Sequence, residues 1–191
     1  MTILLRVAPW ILFGIGQAFL GRAFAGPLAA IGVLIIIGLE VRRGATAREL
    51  ILDLTSLIYF VGFSALVLLA PTSGLIQFVA AGAQLIQGAV VGVCLLAGLP
   101  FTLPLARRSV PPEVGASADF FRFNQLLSGI WLIAFLVSGG VLIALAAADP
   151  SNTAAQIIVI VAGVAIPSLI QNRLVAMAFR RMEQQGAPSA A

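Results

Sequence analysis

The chain of 191 residues contains no histidine, no lysine and one cysteine, Cys94. Without histidine there is no His-ligated haem, no His-based zinc site and no histidine general base. Without lysine there is no Schiff-base chemistry of the retinal type. A lone cysteine makes neither an intramolecular disulfide nor a Cys-x-x-Cys redox pair, and Cys94 reads as a small apolar filler. Charge is scarce too: 9% of residues are charged, against about 25% in a soluble domain. No catalytic residues, metal or cofactor are expected from this set.

What remains is apolar. The chain is 61% hydrophobic, with a mean hydropathy of +1.11. So little polar surface cannot cover a water-soluble globule, which implies one integral membrane domain. Six apolar runs cover residues 7–21, 25–41, 50–70, 74–99, 124–147 and 153–177. A spanning helix needs about 20 residues, so the first run is short. The expected fold is an all-α polytopic transmembrane helix bundle of six spans. In the five-span alternative, residues 7–41 cross once. Residues 1–182 form the single helical domain and 183–191 a flexible tail.

The eleven arginines orient this bundle. Ten of them (Arg6, Arg42, Arg43, Arg48, Arg107, Arg108, Arg122, Arg173, Arg180 and Arg181) fall on one side of a six-span topology, and only Arg22 on the other. Positively charged connections stay cytoplasmic, which puts both termini inside. The net charge of +4 follows from this pattern. No basic helix face or aromatic-interleaved patch points to nucleic acid. Lysine-free, alanine- and arginine-rich usage looks like a GC-rich bacterial genome, and the expected location is the bacterial inner membrane. Arg6, the apolar core after it and Ala23-Phe24-Ala25 resemble a cleavable signal, but an uncleaved first span is the favoured reading.

Ionisable and amide side chains within spans are the functional candidates. Asp53 lies one turn into the third run, where an ion pair with Arg48 or another loop arginine is expected over a proton-handling role. Tyr59 is mid-span and needs a partner for its hydroxyl. Gln77, Gln84 and Gln87, at i, i+7 and i+10, fall on one face at 100° per residue. They read as interhelical hydrogen bonds or, alternatively, as the lining of a polar pathway. Gly88 and Gly92 form a GxxxG that permits close backbone approach, and Gly139-Gly140 is a second small-residue face. Pro167 removes the hydrogen bond to the Gly163 carbonyl and should kink the last helix ahead of Gln171, Asn172 and Arg173. That polar cluster marks either a cytoplasmic vestibule or the point where the helix leaves the bilayer. Asn124 and Gln125 open the fifth run in the same way.

Between the fourth and fifth runs lies the longest polar segment, 104–119. Its Pro111-Pro112 pair is expected to block helix, with Asp119 capping the helix that follows. Asn152 or Thr153 caps the sixth run. Pro71-Thr72-Ser73-Gly74 and Asp149-Pro150-Ser151-Asn152 mark tight turns on the opposite side.

The stretch LPFTLPLARRSVPPEV, followed by FFRFNQLLSGIWLIAFL, resembles a signature of small bacterial inner-membrane proteins, namely intracellular septation protein A and its relatives. The order of elements is also similar: a short first span, a basic second connection and a basic, proline-containing fourth. The resemblance implies an envelope-associated role without known chemistry. The expected function is a non-enzymatic accessory or envelope-organising protein, partnered by the lipid bilayer and by other membrane proteins or further copies of itself. The alternative is a small transport module, similar to vitamin-binding S components or with a proton or solute pathway along the glutamine face.

Overall fold

The computed structural model describes residues 8–10, 12, 13, 16, 17 and 19–186, with side chains through residue 180. All regular structure among them is helical. In chain order the helices are α1 (Arg22–Arg42), α2 (Ile51–Leu69), α3 (Val79–Leu96), α4 (Thr102–Arg107), α5 (Pro112–Gly115), α6 (Ala118–Ala148) and α7 (Thr153–Gly186). A 3-10 turn, Gly74–Phe78, leads into α3. Five segments are long and apolar enough to cross a membrane: α1, α2, Gly74–Leu96, α6 and Thr153–Arg180 of α7. These match the second to sixth apolar runs. The first run falls partly outside the described residues, and Arg6 wholly so.

Connections follow local chemistry. Gly21 adopts φ 84°, a conformation that side chains other than glycine rarely tolerate, and this reversal feeds directly into α1. Ser73 accepts from the Leu75 N–H at 3.2 Å to start the 3-10 turn. As expected, Asn152 caps the last helix, accepting from the Ala155 N–H at 3.1 Å. Two expectations need correction. Ser117, not Asp119, caps α6, accepting from the Phe120 N–H at 3.2 Å, while Asp119 sits in the first turn, where the helix dipole favours a carboxylate. The Pro111-Pro112 pair starts the short α5 rather than blocking helix, because a proline at the first helical position gives up an N–H that has no partner there anyway. The final helix also runs on to Gly186, through the first part of the expected tail; residues 187–191 lie outside the described ones.

The spanning helices stand in a row, α1–α2–α3–α6–α7, each packed chiefly on its neighbour in that order. The α1–α2 end is aromatic. Phe60 is fully buried, with Trp10 and Phe13 at ring-centroid distances of 4.6 and 5.1 Å and Tyr59 beside it. Gly26 of α1 lies so close to α2 that a Cβ there would overlap Ser64 Oγ and meet Phe63 Cδ1 at 2.9 Å and the Phe60 carbonyl at 3.1 Å. The α3–α6 contact is the broadest. There a Cβ on Gly88 would meet Leu136 at 3.2 Å, and one on Gly139 would meet Leu85 at 2.7 Å. Gly92 has ordinary space, 3.5 Å to Leu132, and Gly140 has open space. Only the first glycine of each pair is therefore a close-approach position.

The edge helix α7 packs on α6, and among residues 153–180 only Pro167 is buried. Ile158, Val161 and Leu169 are 67%, 58% and 62% exposed. In a membrane that face meets lipid or another protein.

Candidate polar site within the helix row

Polar side chains gather at three levels. At the end carrying the 43–50 and 97–117 connections, Glu49 is buried and accepts from Arg108 Nε and Nη2 at 2.6 and 2.7 Å. The same carboxylate accepts from the Thr46 N–H at 2.6 Å and the Thr46 hydroxyl at 3.1 Å, closing the turn that leads into α2 in the manner of half a capping box. Burial pushes the Glu49 carboxyl up, but the Thr46 N–H and then the Arg108 guanidinium pull it down further, so it lies below its ordinary value. Glu40 pairs with Arg43 at 3.1 Å. Asp53 is also buried, in the first turn of α2, and it too is engaged. Three carboxylates are thus sunk beneath the arginines of this end.

Close to this level, Thr102 of α4 donates to the Asn124 carbonyl at 3.1 Å and lies 3.1 Å from Ser128 Oγ. Asn124 is fully buried and donates to the Phe120 carbonyl at 2.9 Å, while its Oδ1 has no partner among the described residues. Sequence reasoning placed Asn124 at the opening of the fifth run, as part of a vestibule or at the bilayer boundary, and passed over Thr102. The available signal was the i, i+4 pair Asn124 and Ser128, which puts two polar groups on one face of an apolar helix.

Within the row, α2 and α3 are joined by polar bonds. Tyr59, expected to need a partner, donates to the Val79 carbonyl at 2.6 Å. Gln87 donates to Ser56 Oγ at 2.9 Å, and Ser56 donates in turn to the Leu52 carbonyl. The Gln87 Oε1 is buried without a donor among the described residues. Gln84 is equally buried but faces the other way, its amide nitrogen 3.9 Å from where a Cβ would stand on Gly163 of α7. The Gly163 carbonyl is the one that Pro167 deprives of its helical N–H. Gln77 does not share this site. It is exposed in the 3-10 turn, which advances 120° rather than 100° per residue and lies beyond the cover of neighbouring helices.

Gln77 instead lines a shallow depression of about 250 Å³ at the opposite end, with Arg22, Thr72, Ser73 and Pro150. A second depression, of about 330 Å³, is lined by Arg107, Val110, Pro112, Gly115 and Ala116. Neither includes Gln84 or Gln87. Beyond Pro167, Gln171 accepts from the Trp131 indole N–H at 2.7 Å, while Asn172 and Arg173 are exposed. This cluster ties α7 to α6 rather than lining either depression. Among the described residues no group of three or more metal-ligating side chains comes together.

The orphaned oxygen makes a sharp prediction. Ser56→Ala leaves the Gln87 amide without its acceptor and should cost about 1–3 kcal/mol. Gln87→Leu removes the unsatisfied oxygen together with the bond, and Ser56 keeps its own backbone acceptor, so its cost should be near zero. Unfolding midpoints in detergent compare the two. Equal losses would mean that something satisfies Oε1 in the native protein. Compared with protein-family models, curated proteins and solved structures, the chain finds no match in any of the three.

Proposed function

We propose that the protein is a non-enzymatic, multi-pass component of a bacterial cytoplasmic membrane, acting through helix–helix contacts as an accessory or envelope-organising element. In this reading the first run completes six spans and the arginine-rich end faces the cytoplasm, in line with the positive-inside rule. The observation that carries the proposal is α7. Its apolar segment of 28 residues has one row neighbour, α6, and presents Ala165, Leu169 and Asn172 outward together. Asn172 stands beside Arg173 toward the end of that segment, and the small Ala165 would let a partner helix approach closely. The envelope role implied by the resemblance to septation protein A points the same way.

Photo-crosslinking in native membranes tests this reading. Probes at Leu169 and Ile158 should yield discrete protein adducts, whereas a probe at Ile58, 72% exposed on α2, should label lipid. If all three positions label lipid alone, the accessory reading falls.

The second reading is a small solute or proton pathway. It is favoured by one observation, the unsatisfied Gln87 Oε1 beside the α2–α3 contact. Substrate sites in transporters lie near the bilayer midplane between halves of the bundle. Against it stands the packing around Ser56 and Gln87, which are bonded to each other in a buried contact. Solute flux in proteoliposomes that survives Gln84→Leu with Gln87→Leu unchanged would remove this reading.

A further inference from the structure

We propose that the end of the molecule bearing the 43–50 and 97–117 connections is a docking surface for anionic phospholipid headgroups, seated at Arg107. Charge segregation comes first. Glu40, Glu49 and Asp53 are all buried and engaged, so they present little negative surface. Arg42, Arg48, Arg107 and Arg122 are exposed and form no ion pair with a carboxylate among the described residues; Arg43 and Arg108 hold the two pairs that are seen. Only Glu113 and Asp119 offset them as exposed acids in this stretch of connections. The outward field at this end is positive.

Arg107 is also held in place. Its Nε donates to the Gly115 carbonyl at 3.0 Å, which leaves both terminal nitrogens for a ligand. The fork matches two phosphate oxygens, and a side chain already tethered loses less freedom on binding. The depression around it, about 330 Å³, adds Val110, Pro112 and Ala116. One guanidinium over an apolar floor suits a phosphate followed by glycerol and the first acyl carbons, rather than a fully hydrated polyanion. Phe120, Phe121 and Phe123 bracket the exposed Arg122 at the start of α6, adding apolar surface beside a second cation for the acyl chains. The depression at the other end, with Arg22 among Thr72, Ser73 and Gln77, has one cation and no such surroundings.

The test is native mass spectrometry of the full chain in mixed micelles of phosphatidylglycerol and phosphatidylcholine at equal concentration. The wild type should retain phosphatidylglycerol preferentially. Arg107→Gln should lower that preference about fivefold, the usual effect of one basic residue at an anionic surface. Arg22→Gln should leave it unchanged. In about 1 M salt, where screening acts within about 3 Å, the wild-type preference should collapse, an arm that needs no variant. Equal retention of the two lipids, an unchanged ratio in Arg107→Gln, an equal loss in Arg22→Gln, or persistence in high salt would each overturn the proposal. Displacement of the lipid by millimolar inorganic phosphate would assign the site to a free anion and overturn it as well.

Discussion

Gly26→Val should be the most damaging single substitution in the α1–α2 half. Even an alanine Cβ at this position would overlap Ser64 Oγ, and it would stand 2.9 Å from Phe63 and 3.1 Å from the Phe60 carbonyl. None of these neighbours yields cheaply. Ser64 Oγ is bonded to that same carbonyl at 2.7 Å, Phe63 packs edge-on against Phe13 at 4.9 Å, and the carbonyl is helix backbone. The helices must therefore separate, which unstacks the cluster of Trp10, Phe13, Tyr59 and Phe60. Overpacking a tight contact costs typically 1–3 kcal/mol, and Val, with two further methyls, should reach about 3 kcal/mol or more. Gly38→Ala is the control. Nothing lies within 4 Å of a Cβ there, so helix propensity alone should give a gain of up to about 1 kcal/mol. Reversible unfolding in mixed micelles separates the two. If both variants unfold alike, Gly26 does not set the helix spacing.

Arg108→Gln should have the next largest effect, and the asymmetry of the pair explains why. Glu49 is 7% exposed at its side chain and Arg108 41%. Removing Glu49 frees a guanidinium that simply turns to water. Removing Arg108 leaves a buried carboxylate with only part of its compensation, and breaking a buried pair in that direction costs about 3–5 kcal/mol. The donors from Thr46 remain, so a loss near the low end, about 3 kcal/mol, is expected. Acid titration supplies the second readout. The folded Glu49 carboxyl lies below its ordinary value of 4.5. The pair's stabilisation is therefore complete above that pH and disappears as pH falls through the lowered folded value. In Arg108→Gln the folded value moves back toward the ordinary one, so that acid-dependent loss should shrink and be complete at a higher pH. A variant with the acid profile of the wild type would show that the pair contributes nothing.

The spanning helices were legible because lipid imposes a simple rule: about twenty apolar residues, with backbone polar groups satisfied within the helix. The second to fourth runs therefore gave segments whose ends lie within a few residues of expectation, while α6 starts earlier, at Ala118, and α7 continues to Gly186. Tyr59 and Asn152 found the kinds of partner their positions demanded. The failures share a different cause. Gly26 looks like any glycine in a glycine-rich chain, because its importance lies in Ser64 and Phe63 on another helix. Gln77 satisfies the i, i+7 spacing to Gln84, but a 3-10 turn at the end of the row voids the assumed rotation. Pro112 changes from helix breaker to helix starter according to what precedes it. Thr102 acquires meaning only once α4 folds back on α6. Local chemistry is readable from one chain, and pairings between distant segments are not.

The row order of the helices has a consequence for biogenesis. Each spanning helix after α1 packs on the spanning segment made immediately before it, although α3 makes its broadest contact with the next one, α6. Pairings between neighbours in the chain keep the contact order low. During synthesis, α2 docks on α1 as soon as it clears the ribosome, and α3, α6 and α7 extend the assembly one layer at a time, with no gap to be closed later by a returning segment. The last-made helix is then also the least embedded one. A chain ending before residue 153, once released from the ribosome, would already contain both partners of every contact among α1, α2, α3 and α6.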